Sequence, residues 1–143
     1  MKYKKLINHT AAIILGCLST QVFSNPLVIT NNTDHDSACR IVRTYSKKCT
    51  DTVPNGVTPA GAQNHVIEEG NIRMACFPKK DHETCEALVY MDAHCAGPEI
   101  ASVKFSIKDG VSDLTPTPNS GYSIIVKDGF NVVINKTSSI AIK

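Results

Sequence analysis

From Met74 to Phe105 the chain reads MACFPKKDHETCEALVYMDAHCAGPEIASVKF, and apolar and polar positions alternate along much of it. Ile72, Met74 and Cys76 fall on one side of an extended chain, with Arg73 and Ala75 on the other. A polar turn follows, from Pro78 to Glu83. Cys85, Ala87, Val89 and Met91 then share a side, opposite Glu86, Leu88, Tyr90 and Asp92. Ala101, Val103, Phe105 and Ile107 alternate with Ser102, Lys104 and Ser106. A period of two is the mark of a half-buried strand. Three successive strands are therefore predicted, punctuated by Cys76, Cys85 and Cys95. Cys76 and Cys85 would lie on the apolar sides of neighbouring strands, at either end of one hairpin loop.

The same alternation recurs elsewhere. Leu27 to Thr30 predicts a short strand running into the turn cluster from Asn31 to Ser37. Ala38 to Thr44 predicts another, with Cys39, Ile41 and Arg43 on one face. Tyr45 to Gln63 holds Pro54, Gly56, Pro59 and Gly61, which predicts a long loop with one short strand around Val57. Asn64 to Glu68 reads as a strand or a connector. Lys-Asp-Gly occurs at 108–110 and again at 127–129, each time between apolar alternations. Asp-Gly in that setting predicts a hairpin with a type I′ turn, whose two central residues need positive φ. Tyr122, Ile124 and Val126 alternate before the second turn, and Phe130, Val132 and Ile134 after it. Ile140 and Ile142 mark a last strand. No stretch beyond the leader shows a 3.6-residue period over three turns. About eight short strands separated by Gly, Pro and Asn turns predict an all-β fold, a two-layer antiparallel β-sandwich or a small barrel. The chain has no Trp, so the immunoglobulin Cys…Trp…Cys pattern is missing.

Residues 1–24 read as an export signal. Lys2, Lys4 and Lys5 form a basic start, Ala11 to Leu18 is apolar, and Val22 and Ser24 suit cleavage before Asn25. The apolar run is far shorter than the roughly 20 residues a membrane-spanning helix needs. Ile14-Leu15-Gly16-Cys17 loosely resembles a lipoprotein box. Its apolar run is short and its second residue is Leu, so lipid anchoring at Cys17 is the less favoured reading. Residues 25–143 are expected to form a single β domain, secreted or periplasmic. Three of the 15 Lys+Arg lie in the leader and none of the 13 Asp+Glu does, so the exported chain carries +12 against −13, a net −1. Such a balance gives no basic surface for nucleic acid.

Cleavage leaves five cysteines, Cys39, Cys49, Cys76, Cys85 and Cys95. An exported chain favours disulfides. One unpaired thiol and two bridges allow 15 patterns, counted as 5 choices of the odd cysteine times 3 pairings. The favoured pattern is Cys76–Cys85 with Cys49–Cys95, leaving Cys39 as a buried thiol on the face of Ile41. A dimer through Cys39 is the alternative to a monomer.

Candidate chemistry is sparse. His82, Cys85, His94 and Cys95 form a His/Cys cluster, but His94 and Cys95 are adjacent and would point to opposite faces, which disfavours zinc. Asp34-His35-Asp36 reads as a solvated turn rather than a cation site. No Gly-x-Ser-x-Gly elbow exists, and the histidines past the leader (His35, His65, His82, His94) fall in polar turns or strand ends. Glu68-Glu69 reads as a solvated turn rather than a catalytic carboxylate pair. Asn31-Asn32-Thr33 and Asn135-Lys136-Thr137 match the glycosylation sequon, which matters only in eukaryotic secretion. No catalytic residue, metal ligand or cofactor site is therefore assigned, and the chain is expected not to be an enzyme.

Three segments carry a resemblance: LVITNNTDHDS (27–37), GVTPAGAQNHV (56–66) and ACFPKKDHETCEALVYMDAHCAGPEIASVKF (75–105). Together they resemble small exported cysteine-containing proteins of Legionella-like gammaproteobacteria, a group without an assigned activity. In that pattern Cys49, Cys76, Cys85 and Cys95 are shared and Cys39 is extra. The resemblance implies envelope or extracellular residence and contact with a host. The functional expectation is a non-catalytic module that recognises a host or envelope protein, or a glycan, through the Tyr45–Gln63 and Cys76–Cys85 loops. The alternatives are an exported inhibitor of a lysozyme or protease, and a small secreted hydrolase.

Overall fold

A computed structural model of the chain describes residues 25–42 and 47–138. The leader, Cys17, Arg43 and the strand expected at Ile140 and Ile142 lie outside the described residues. Among the described residues, nine strands and one α-helix follow in the order β1 (Leu27–Asn31), β2 (Ser37–Val42), β3 (Val57–Thr58), β4 (His65–Ile67), α1 (Glu69–Cys76), β5 (Cys85–Tyr90), β6 (Glu99–Ser106), β7 (Gly110–Pro116), β8 (Tyr122–Asp128) and β9 (Asn131–Lys136), with a short 3-10 turn at Thr50–Thr52. They form two sheets that do not close into a barrel. One runs β4-β1-β9-β8, the other β3-β2-β5-β6-β7. Every pairing is antiparallel except β1–β9, which is parallel.

The period-two pattern explains what lies between the sheets. Cys39 and Ile41 of β2, Cys85, Ala87 and Val89 of β5, and Ala101, Val103 and Phe105 of β6 face the other sheet. Leu27 and Ile29 of β1, Ile124 of β8 and Ile134 of β9 meet them there. The outer face of the larger sheet holds a smaller cluster, in which Ala38, Tyr90, Cys49 and Cys95 are buried together. The Cys49–Cys95 disulfide straps this face.

One predicted strand is instead a helix. Residues 69–76, of which 72–76 read above as alternating, form α1. Glu69, Ile72 and Cys76 are buried, a spacing of three and four that places them on one helical stripe, while Met74 is exposed. Arg73 also reaches back to Glu69 at 2.8 Å, the i, i+4 contact that supports a helix. Two turns are too short for the period to show in sequence, and Ile72, Met74 and Cys76 imitate a strand by chance. The three cysteines consequently do not punctuate three strands. Cys76 ends α1, Cys85 opens β5, and Cys95 lies in the loop after it.

Both Lys-Asp-Gly sites do turn between paired strands, β6–β7 and β8–β9. Neither turn is type I′. Only Gly110 takes positive φ, at 76°, and Asp109, Asp128 and Gly129 do not. The two turns belong to different sheets and touch. Val111 N–H donates to the Gly129 carbonyl at 2.7 Å, and a Cβ at Gly110 would stand 2.2 Å from that oxygen. Glycine here serves the joining of the two layers.

Asn31, expected in a turn, closes β1 and is fully buried. Its amide donates to the carbonyls of His35 (2.8 Å), Pro59 (3.2 Å) and Thr58 (3.4 Å). Its oxygen accepts from the Thr33 N–H (3.1 Å) and hydroxyl (2.8 Å). A buried amide is tolerated because it is so well satisfied. It ties β1 to the strand and loop at 58–59.

Candidate functional site

The loops that could carry function emerge at opposite ends of the sandwich. At the end where β5 begins, α1 and residues 77–84 form a braced tip. Cys76 and Cys85, nine residues apart, are joined by a disulfide that closes the loop. Ion pairs pin it further. Arg73 holds Asp81 at 2.5 Å and Glu69 at 2.8 Å, and Lys108 from the β6–β7 turn reaches Glu69 at 3.1 Å. Lys108 N–H donates to the Asp81 carbonyl at 3.0 Å, and His82 meets Asp109 at 2.8 Å. Burial acts to raise the Glu69 carboxyl, but hydrogen bonds from Arg73 and Lys108 overcome it and hold the group below its usual range. The Arg73 hydrogen bond likewise lowers Asp81.

With its charged groups so committed, the tip leaves its apolar ones outside. Phe77 is 69% exposed and Met74 60%, the two most exposed large hydrophobic side chains among the described residues. Lys79 and Lys80 follow and have no ionic partner among those residues. Strand-based reading missed Met74. A helical projection of 69–76 would have set it opposite Glu69, Ile72 and Cys76.

The other end is polar. The Cys49–Cys95 bridge anchors the long loop, 46 residues apart in sequence. Within the loop the Thr50 hydroxyl donates to the Gly56 carbonyl at 2.6 Å and accepts from Cys39 N–H at 3.0 Å. Asp36 accepts from Ala60 N–H at 2.8 Å. Asp51 holds His94 at 2.9 Å, and that hydrogen bond raises the His94 pKa. Asn32 links Gln63 and Asn135 at the same rim.

The remaining candidates disperse. His82 and His94 sit at opposite ends, each on its own aspartate, while Cys85 and Cys95 are in separate disulfides. His35 contacts Asp34 at 2.8 Å and the Tyr122 hydroxyl at 3.4 Å, whereas Asp36 serves the loop backbone. Glu68 precedes α1 and Glu69 is structural. No group of three or more His, Cys, Asp or Glu among the described residues is placed to hold a metal ion. Ser106, Asp109 and His82 lie together, but serine and histidine both bond the aspartate and not each other, so histidine is not positioned to activate the hydroxyl. Asn31, the first sequon asparagine, is buried. Between the sheets lies a cavity of about 100 Å³, lined by Ile29, Cys39, Phe105, Ile124 and other mostly apolar residues, with no histidine or acid among them. Burial there pushes the free Cys39 thiol up to about 12.

Comparison with known proteins adds what geometry alone does not. The sequence profile of "T2SS substrate NttC" matches residues 3–138. The chain belongs to the NttC family. The crystal structure of the Legionella pneumophila type II secretion system substrate NttC superposes with a TM-score of 0.61 at 25% identity, covering 79% of this chain and 98% of that one. No curated protein matches the chain. As an NttC-family type II secretion substrate the protein is secreted, passing through the periplasm to the outside. The expected kinship with small exported Legionella-type proteins stands at this level. No helix among the described residues is long and apolar enough to cross a membrane.

Proposed function

We propose that this NttC-family protein is a non-catalytic recognition module that acts after secretion and binds a protein or glycan through the polar end of its sandwich. The observation that carries this reading is the fixation of the long loop. A disulfide, the Thr50 and Asp36 hydrogen bonds and the Asp51–His94 pair hold it, yet Thr52, Pro54, Ala60 and Gln63 stay exposed. A loop already ordered loses little entropy on binding, and loops on a rigid scaffold are common recognition surfaces. The absence of a catalytic role is supported by the scattering of the histidines and acids and by the mostly apolar lining of the inter-sheet cavity, which holds no histidine or acid.

The test substitutes exposed positions whose side chains make only local hydrogen bonds, Thr52 to the Cys49 carbonyl at 3.1 Å and Gln63 to Asn32 at 2.9 Å and the Gly61 carbonyl at 3.4 Å. Thr52→Lys, Ala60→Lys and Gln63→Lys are combined, and capture of host surface proteins and of arrayed glycans is compared with the parent. Loss of capture with an unchanged circular dichroism spectrum and melting point is expected. Equal capture by parent and variant refutes the assignment, as does turnover of a peptide or glycan substrate by the purified protein.

A further inference from the structure

The braced tip at the other end of the sandwich suits a different class of surface. We infer that the Met74–Lys80 tip docks on anionic phospholipid bilayers, with Phe77 and Met74 entering the acyl boundary and Lys79 and Lys80 meeting the phosphate layer. This contact goes beyond the recognition proposed for the polar end and shares no residue with it.

Four observations converge. The two most exposed large hydrophobic side chains among the described residues lie three positions apart on one tip, so their exposure is local and not scattered. Lys79 and Lys80 stand beside them without ionic partners among those residues, while nearby Arg73 and Lys108 are bound to Glu69, and Arg73 also to Asp81. Of the acids within the loop, Asp81 is neutralised by Arg73, and Glu83 sits at its far end, two residues before Cys85. The loop is rigid in advance, closed by Cys76–Cys85 and held to the β6–β7 turn by the Lys108–Asp81 and His82–Asp109 contacts.

A bilayer interface has a matching order of chemistry, acyl chains at depth and anionic phosphates above them. Apolar anchors beside cations satisfy that order without a shaped partner pocket, and lysine stems lie along the apolar layer while their ammonium groups reach the phosphates. Each lysine near an anionic surface strengthens binding roughly fivefold at ordinary ionic strength. An inserted aromatic side chain contributes roughly tenfold.

The test pellets protein purified from culture medium with vesicles of phosphatidylcholine alone and of equal parts phosphatidylcholine and phosphatidylserine. Sedimentation with the anionic vesicles, weakened by added salt, is expected. Phe77→Ser should reduce it about tenfold, and the pair Lys79→Ala and Lys80→Ala by about twentyfold or more. Ile125→Ser removes another exposed hydrophobic side chain, on β8 and outside the tip, and should change nothing. Phe77, Lys80 and Ile125 are exposed and Lys79 is half-buried, so folding is retained and is checked by the melting point. No sedimentation with anionic vesicles overturns the inference. So does an equal loss with Ile125→Ser, which would mean general stickiness, or binding to a detergent-extracted membrane protein with bare vesicles unbound. Failure here leaves the polar-end substitutions to test their own reading separately.

Discussion

Replacing Asn31 with alanine should be among the costliest single changes outside the apolar core. The side chain is fully buried and makes five hydrogen bonds. Two of them, at 3.2 and 3.4 Å, are long and contribute little. The other three, at 2.8, 2.8 and 3.1 Å, contribute about 1 kcal/mol each. Truncation also strands partners. The Thr33 hydroxyl can still donate to the His35 carbonyl at 3.1 Å, but the buried Thr33 N–H keeps no acceptor. An orphaned buried donor costs roughly 1–3 kcal/mol, part of which the bond count already includes, so the total is about 3 kcal/mol. Against a whole-protein stability of about 5–15 kcal/mol that is a large fraction. Equilibrium urea unfolding should show the midpoint falling by about 1.5 M at unchanged slope. The neighbouring Asn32→Ala is the control. Its bonds to Asn135 and Gln63 are exposed, and it should cost about 0.5 kcal/mol. If Asn31→Ala costs no more than Asn32→Ala, the buried amide does not tie the loop at 58–59 to β1 and the reasoning fails.

Other outcomes follow from particular contacts. Gly110→Ala combines positive φ with a methyl driven into the Gly129 backbone, and should cost about 3 kcal/mol or prevent folding, measured by thermal melting beside the tolerated Gly70→Ala, where nothing lies within 4 Å. On loop entropy the Cys49–Cys95 bridge, 46 residues apart, should contribute about 4 kcal/mol, and Cys76–Cys85, nine apart, about 2.7 kcal/mol. Paired Cys→Ser variants that melt in the reverse order would contradict this. Cys39 should resist thiol reagents at pH 8 in the folded protein and react at once in denaturant, since its pKa is raised to about 12. His94 binds its proton more tightly when folded. Its contribution is therefore present below the unfolded histidine pKa and fades as pH rises through the folded one. Asp51→Asn should move the His94 NMR titration down. The lowered carboxyls of Glu69 and Asp81 act oppositely. Their contribution is present above the unfolded carboxylate values and is lost in acid as pH falls through the folded ones.

The amino-acid sequence by itself determined the β class and most strand positions, because one face of each sheet must be apolar and the side-chain period of a strand is two. The same period sets Cys39 beside Ile41 on the face turned to the other sheet. What the local pattern could not settle was α1. Eight residues offer barely two helical turns, and only the burial of Glu69, Ile72 and Cys76 against the sheets, with the Glu69–Arg73–Lys108 ion pairs, chooses helix over strand. The role of Asn31 was hidden for a related reason. An asparagine before Asn-Thr-Asp looks like turn chemistry, and its burial depends on β3 and the loop after it, 27 and 28 residues away, closing over it. The meeting of Gly110 with Gly129 likewise needs two sheets to be stacked. The candidate surfaces followed the same division. Sequence marked both loops, but which side chains they present was decided by tertiary contacts, since ion pairs across α1 and the β6–β7 turn consume Arg73, Asp81 and Lys108 and leave Met74, Phe77 and Lys80 exposed, with half-buried Lys79 beside them.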